Sequence, residues 1–266
     1  MLRIAIAGAS GRMGRMLVEA VHAAPDLTLA GALDIASSPA IGTDPLAALG
    51  GRGPVRVTAD LQEGLQSADV LIDFTRPAAT LAHLDACIRS GTRLVIGTTG
   101  FTQGERDRLH AASREVAIVL SPNMSIGVNV AMKLIAQATA ALAASCDIEI
   151  VESHHRDKVD APSGTALKMG EVVAAAQGRH LADIEVHARH GHTGPRAAGS
   201  VGFSAIRGGD VVGEHTVMFL GAGERIEITH RSTSRANYAQ GSLRAARFLA
   251  GRAAGLYDMD DVLGLR

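Results

Sequence analysis

Short apolar runs alternate with longer alanine- and leucine-rich stretches through the first half of the chain. Leu2–Ala7, Leu27–Leu33, 55–58, 70–74, 94–97 and Ala117–Leu120 are mainly β-branched or aliphatic, lack a regular polar face, and read as strands. Between them, 13–24, Pro77–Ser90 and 103–113 read as helices. Strands that are apolar on both sides must be covered on both faces, and strands separated by helices pair in parallel. This half therefore predicts an α/β domain with a parallel sheet between two helical layers.

The pattern changes after Pro122. A helix over 128–144 leads to a strand over 148–153 and a second helix over 163–176. From about Glu185 onward, strand-like segments at 201–206, 211–220 and 225–231 follow one another across glycine-rich breaks. Consecutive strands with no helix between them predict an antiparallel or mixed sheet, hence a second, α+β domain. The last helix, 236–251, is amphipathic and has a face to pack on a sheet already built. The expected division is 1–125 for the first domain and 126–235 for the second, with 236–266 returning to the first. The Gly/Pro-rich piece 41–54 reads as a surface loop, and no internal repeat is visible.

Composition narrows the class. The 266 residues leave room for two ordinary domains, and five Phe, two Tyr and no Trp against thirty Gly indicate an aliphatic core with many tight turns. A net charge of −1 gives no pull toward nucleic acid or a membrane surface. No apolar stretch approaches the roughly 20 residues of a membrane span, and the start of the chain lacks the features of a signal peptide. The two cysteines, Cys87 and Cys146, sit in apolar surroundings without a CxxC spacing and read as buried thiols, which fits a cytoplasmic protein.

Two stretches carry chemistry. In "IAIAGASGRMGRML", Gly8, Gly11 and Gly14 lie between a strand and a helix, where free helix N–H groups suit a diphosphate. Asp34 ends the next strand about 20 residues later, placed to accept hydrogen bonds from a ribose diol, and its charge favours NADH over NADPH. Two further loops, Gly97, Thr98, Thr99 and Ser121, Pro122, Asn123, Met124, follow candidate strands at the ends where open α/β sheets bind ligands. Threonine and asparagine are also ordinary turn residues.

The second stretch is "ESHHRDKVDAPSGTA", residues 152–166. A histidine can deliver a proton near neutral pH and a lysine four residues on can hold an anion, which selects His154 and Lys158. Ser163 or Thr165 could cap the following helix, and Gly164 would let a carboxylate approach the backbone. On residue type alone the stretch also fits a charged loop followed by a plain helix cap. Metal binding is disfavoured because no third ligand stands at a standard spacing. A proton donor, a cation and an anion seat beside a nicotinamide domain describe reduction of a small anionic substrate.

"AGASGRMGR", "DFTRP", "VIGTTGF", "ESHHRDKVDAPSGTAL", "GHTG", "VGEHTVMF" and "ERIEITHRSTSR" together resemble, in order and across nearly the whole chain, the 4-hydroxy-tetrahydrodipicolinate reductases of bacterial lysine and diaminopimelate synthesis. The resemblance implies a Rossmann-type first domain, a second domain for substrate binding and oligomerisation, a cytoplasmic homotetramer and a small dicarboxylate substrate. It implies that His154 donates the proton, that Lys158 assists, and that His155, Gly164 and Thr165 contact a substrate carboxylate. For the cofactor it points to Gly8, Ala9, Ser10, Gly11, Arg12, Met13, Asp34, Gly97, Thr98, Thr99 and the 121–124 loop. Three positions depart from the pattern of many relatives: Ile35 stands where an arginine can meet the 2′-phosphate of NADPH, Asp157 where a histidine is common, and Met124 where an aromatic is common. A reductase for another small dicarboxylate and a nucleotide sensor are the alternative readings. A sensor would oxidise no NADH and needs no proton donor.

Overall fold

Strands and helices alternate from the second residue of the computed structural model, which describes all 266 residues. The first run is β1 (Leu2–Ala7), α1 (Arg12–Ala23), β2 (Leu27–Leu33), β3 (Val57–Thr58), α2 (Leu61–Leu65), β4 (Val70–Asp73), α3 (Pro77–Ser90), β5 (Arg93–Ile96), α4 (Gln103–Ala112) and β6 (Ala117–Leu120). Then come α5 (Ile126–Leu142), β7 (Asp147–His154), α6 (Gly164–Ala176), β8 (Glu185–Val186), β9 (Val201–Arg207), β10 (Gly213–Leu220) and β11 (Arg225–Ser232). The chain ends with α7 (Ala236–Leu249), β12 (Gly255–Tyr257) and α8 (Met259–Leu263). One unit is formed by Met1–Ile126 with Ala236–Arg266, the other by Gly127–Arg235.

In the first unit seven parallel strands lie in the order β12-β6-β5-β4-β1-β2-β3. The two faces account for the apolar strands. Ile4, Ile6, Val70, Ile72, Val95 and Val119 pack under α1 and α7, whereas Ala5, Ala7, Leu71, Leu94, Ile96 and Ile118 pack with residues of α3 and α4. On α7, Leu243, Ala246 and Leu249 are fully buried, at about 1.5–3 kcal/mol for each leucine, so the C-terminal helix is part of this core. The strand order reverses direction between β1 and β4, and it is outside the carboxyl ends at such a reversal that doubly wound sheets take their ligands.

The second unit is a mixed sheet in the order β11-β10-β7-β9-β8, with β10 antiparallel to both neighbours and β9 parallel to both of its own. One face is apolar at one end: Ile148, Ile150, Val217, Phe219, Val201 and Phe203 meet Ala131 and Ile135 of α5 and Met169 and Val173 of α6. Farther along β7 and β10 the same alternation places Glu152, His154 and His215 on that face. The buried side of this sheet therefore passes from core into polar chemistry.

The structure corrects the expected elements at their ends. β3 begins at Val57 and β10 at Gly213, and α5 begins at Ile126, two residues before the expected start. Four short elements lay outside the expectation: α2, β8, β12 and α8. Their length hides them from periodicity, yet two helices carry a start signal. Asp60 accepts from the Gln62 and Glu63 N–H groups, and Asp258 forms a reciprocal capping box with Asp261.

Candidate active site

The turn after β1 is built for close approach. Gly8 has φ +65°, the left-handed region that glycine enters without cost, and a side chain on Gly14 would collide with the Gly8 carbonyl oxygen. The start of α1 can therefore sit directly against the strand end. Its N-cap, Gly11, supplies no side-chain hydrogen bond and the first turn contains no acid, so the leading N–H groups remain for an anion. Asp34, just past β2, accepts from the N–H of Ser10 at 3.0 Å and of Ile35 at 2.9 Å. That fixes its carboxylate beside the glycine turn with lone pairs to spare for a diol. Arg12 is exposed, and so is Ile35, at 67 %. Arg15 is turned to the Ser10 carbonyl, to which its Nε donates at 2.8 Å.

The loops after β5 and β6 come next. A side chain on Gly97 would run into the Phe74 ring, which explains the glycine. Thr98 is buried, and its hydroxyl accepts from the Thr75 N–H at 3.0 Å and the Thr80 hydroxyl at 2.9 Å, whereas Thr99 is exposed. The Ser121 hydroxyl donates to the Asn123 carbonyl at 2.9 Å. The Met124 side chain lies wholly in the core, and its carbonyl packs where α7 has Gly241. Positions 98 and 124, like the buried Ala9, thus present backbone rather than side chain to any ligand.

In the second unit one carboxylate organises the site. Glu152, 1 % exposed, takes two hydrogen bonds on each oxygen. Oε1 accepts from Arg207 Nη2 (2.6 Å) and the Ser163 N–H (3.1 Å); Oε2 accepts from Arg207 Nη1 (2.7 Å) and pairs with His154 Nδ1 (2.6 Å). Burial opposes its ionisation, but the hydrogen bonds from Arg207 and His154 outweigh it and hold the carboxyl below the ordinary range. Since a carboxylate only accepts, the His154 proton on this side is on Nδ1, and Nε2 is left to meet a substrate. Nε2 points toward Gly213, where a Cβ would come within 3.0 Å of it.

Ser163 continues the cluster. Its hydroxyl caps α6 by accepting from the Ala166 N–H at 3.2 Å and bonds His215 Nε2 at 2.8 Å. His215 lies edge-on to His154, with ring centroids 5.1 Å apart. Burial, then the charge of His154, pushes His215 down to about 4, so it is neutral at physiological pH; Lys158 and His230 act in the same direction. The Gly164 and Thr165 N–H groups, first in α6, have no intrahelical partner, and a Cβ on Gly164 would meet only open space. Lys158 Nζ reaches both Asp160 oxygens at 2.7 and 2.8 Å, which holds the Asp160 carboxyl below its usual value. His155 is half-buried and tied by its carbonyl to the Lys158 N–H.

The structure thus gathers His154, His155, Lys158, Ser163, Gly164 and Thr165 along one strand end and the helix start that follows. Sequence reasoning missed Glu152, Arg207 and His215. Glu152 was within reach, because residues two apart on a strand share a face. Arg207 and His215 arrive through sheet register, opposite His154 and Glu152 respectively, which no local pattern reveals. Among all residues no group of three His, Cys, Asp or Glu is arranged to hold a metal ion, and no helix is long and apolar enough to cross a membrane.

Comparison with known proteins covers both units. Residues 2–124 match the family model described as dihydrodipicolinate reductase, N-terminus, and residues 127–263 the one described as dihydrodipicolinate reductase, C-terminus. The chain is 63 % identical over 265 residues to a 4-hydroxy-tetrahydrodipicolinate reductase of Burkholderia pseudomallei strain 668, with all of both chains covered. It is 62 % identical to one of Burkholderia thailandensis, covering 100 % of this chain and 99 % of that one. Among solved structures it is similar to the dipicolinate-bound dihydrodipicolinate reductase of Paenisporosarcina sp. TG-14, with TM-score 0.80, 25 % identity and 98 % of each chain covered.

Proposed function

The chain belongs to the dihydrodipicolinate reductase family, and from that premise we propose how its residues share the work of the reaction. The activity is NAD(P)H-dependent reduction of 4-hydroxy-tetrahydrodipicolinate, by way of dihydrodipicolinate, to tetrahydrodipicolinate in diaminopimelate and lysine biosynthesis. Full-length identity of 63 % to curated reductases of that name carries this reading.

The first unit is the dinucleotide holder. The uncapped start of α1 and the side-chain-free turn at Gly8, Gly11 and Gly14 fit a diphosphate, and Asp34 fits the adenosine ribose. The loops at Gly97, Thr98, Thr99 and at Ser121, Pro122, Asn123, Met124 border the nicotinamide half. NAD(P)H, when bound, supplies a hydride to C4 of the unsaturated ring. NADH is the preferred form, because Asp34 repels a 2′-phosphate and the adjacent Ile35 offers no cation. A coupled assay with freshly generated substrate, run with each nicotinamide in turn, tests both the activity and the preference. Asp34→Ala is expected to lower kcat/KM for NADH more than for NADPH, by roughly ten- to a hundredfold on the scale of lost hydrogen bonds to a charged group. An unchanged ratio would remove Asp34 from the ribose site.

The second unit is the substrate holder. One ring carboxylate would lie on the Gly164 and Thr165 N–H groups at the start of α6, and the other against His155 and Lys158, which leaves Asp160 to be exchanged for substrate. In its imidazolium form His154 then delivers the Nε2 proton to the carbon next to the one that receives the hydride, and is left as the Nδ1–H tautomer that Glu152 holds. Glu152 keeps the opposite nitrogen protonated and the ring aimed, and neutral His215 adds no competing charge beside it.

A cytoplasmic homotetramer completes the proposal. Cys87 and Cys146 are free thiols, as a reducing compartment requires, and cell fractionation checks the location. The face of the second sheet away from α5 and α6 carries Val151, Ile206 and Met218 with no helix over them, and suits a second copy of the chain. Light scattering at four chain masses is the expected result; a monomer in the micromolar range would refute it.

A further inference from the structure

A buried titratable pair in the first unit has no step in this reaction. Asp73, the last residue of β4, stands opposite Ala7 of β1, where the strand order reverses. It is wholly buried, and its Oδ2 meets His83 Nδ1 of α3 at 2.8 Å. Its Oδ1 accepts from the Thr75 N–H at 2.8 Å and the Thr75 hydroxyl at 2.6 Å. Burial opposes the charge, but the bonds from His83 and Thr75 outweigh it and hold the carboxyl below its ordinary value.

A staple between α3 and β4 would need only the Asp73–His83 bond. Here the hydrogen bonds run on, along the edge of the sheet that faces ligands. The Thr75 N–H also donates to Thr98 Oγ1 at 3.0 Å, and the Thr80 hydroxyl donates to the same oxygen at 2.9 Å. The Gly97 N–H donates to the Asp73 carbonyl at 2.9 Å. On the other side the Thr75 methyl fills the space beside Gly8, 3.2 Å from where a Cβ would stand. One carboxylate is thereby connected to the glycine turn after β1 and to the loop after β5.

We propose that Asp73 and His83 are positioning residues that, through Thr75 and Thr98, set the glycine turn and the Gly97–Thr98–Thr99 loop at the spacing the bound dinucleotide needs. This rests on the assignment of that loop to the cofactor. The histidine supplies the donor that keeps a buried carboxylate in place, and the threonines carry its position outward.

Four variants test it. Thr98→Val keeps shape and loses the bridging hydroxyl; His83→Phe removes the donor; His83→Asn restores a donor near the place of Nδ1; Asp73→Asn alters the acceptor. Thr98→Val and His83→Phe should raise KM for NADH, and the NADH Kd read by fluorescence titration, by about tenfold, the scale of one buried hydrogen bond. KM for the dicarboxylate should stay within about twofold, and His83→Asn should recover most of the loss, because the bond rather than the bulk is at stake. The proposal is overturned if the variants lower only Tm and active fraction with NADH binding at the parental level, or if His83→Asn is as impaired as His83→Phe. Should Asp73→Asn fail to fold, Thr98→Val decides alone. Asp34→Ala, measured beside them, reports on cofactor placement independently. If it weakens NADH while Thr98→Val does not, the positioning role falls and the placement stands.

Discussion

His154→Gln is expected to lower kcat by about 10²–10⁴-fold, the usual contribution of a positioned general acid, with little change in NADH affinity. Glutamine keeps a side-chain N–H that can still reach Glu152, and it preserves most of the bulk packed edge-on against His215. What it lacks is a nitrogen that gives up a proton near neutral pH. The ring that receives the hydride would then have to take its proton from water, and chemistry would become the slow step. Single-turnover rates at saturating substrate and NADH read this directly. Lys158→Ala supplies the contrast: it should raise KM for the dicarboxylate as well as lower kcat, because a cation that holds substrate in both ground and transition states is lost. A His154→Gln enzyme with kcat within about threefold of the parent would end the assignment of the proton to this residue.

The parts of the fold that were legible are those in which burial has a period. β1, β4, β5 and β6 are apolar on both faces because helices cover both, and that pattern alone separates the first unit from the second. The site was legible where chemistry is local. Gly8, Gly11 and Gly14 surround one turn, and His154, Lys158, Ser163 and Gly164 lie within a dozen residues of one another. What stayed hidden depends on long-range pairing. Arg207 meets Glu152 across 55 positions of sequence, and His215 meets Ser163 across 52; both follow from register between strands that hydrophobic periodicity does not fix. Asp73 and His83 illustrate a different limit: nothing local in "VLIDF" marks its acid as half of a buried pair, which forms only when the helix that follows turns a histidine onto it.

The two candidate sites also differ in what builds them. The first is mostly backbone: a turn without side chains, an uncapped helix and a buried threonine whose hydroxyl is already bonded. In the second, the backbone N–H groups at the start of α6 are joined by side chains, and His154, Arg207 and the Ser163 N–H all meet one carboxylate. That contrast explains why the glycine turn tolerates so little bulk, and it places the site's greatest single vulnerability at Glu152.

Glu152→Gln should therefore cost both stability and turnover. Each carboxylate oxygen accepts from one Arg207 nitrogen and one further donor, Ser163 N–H on Oε1 and His154 Nδ1 on Oε2. An amide has one oxygen, so either orientation turns its NH₂ group against an arginine nitrogen. In one it also forces His154 to exchange its tautomer; in the other it pushes away the first residue of the α6 cap. Breaking a buried ion pair from one side costs about 3–5 kcal/mol, which denaturant unfolding at constant m would read, and the misaimed imidazole should remove about tenfold or more from kcat. The pH dependence follows from the depressed carboxyl of Glu152: its contribution is present above the unfolded value of about 4.3 and is lost as pH falls through the lower folded value. Stability of the parent should thus converge on that of Glu152→Gln in acid, while a constant gap between them from pH 7 down to 3 would show that the charge of Glu152 is not what holds the cluster together.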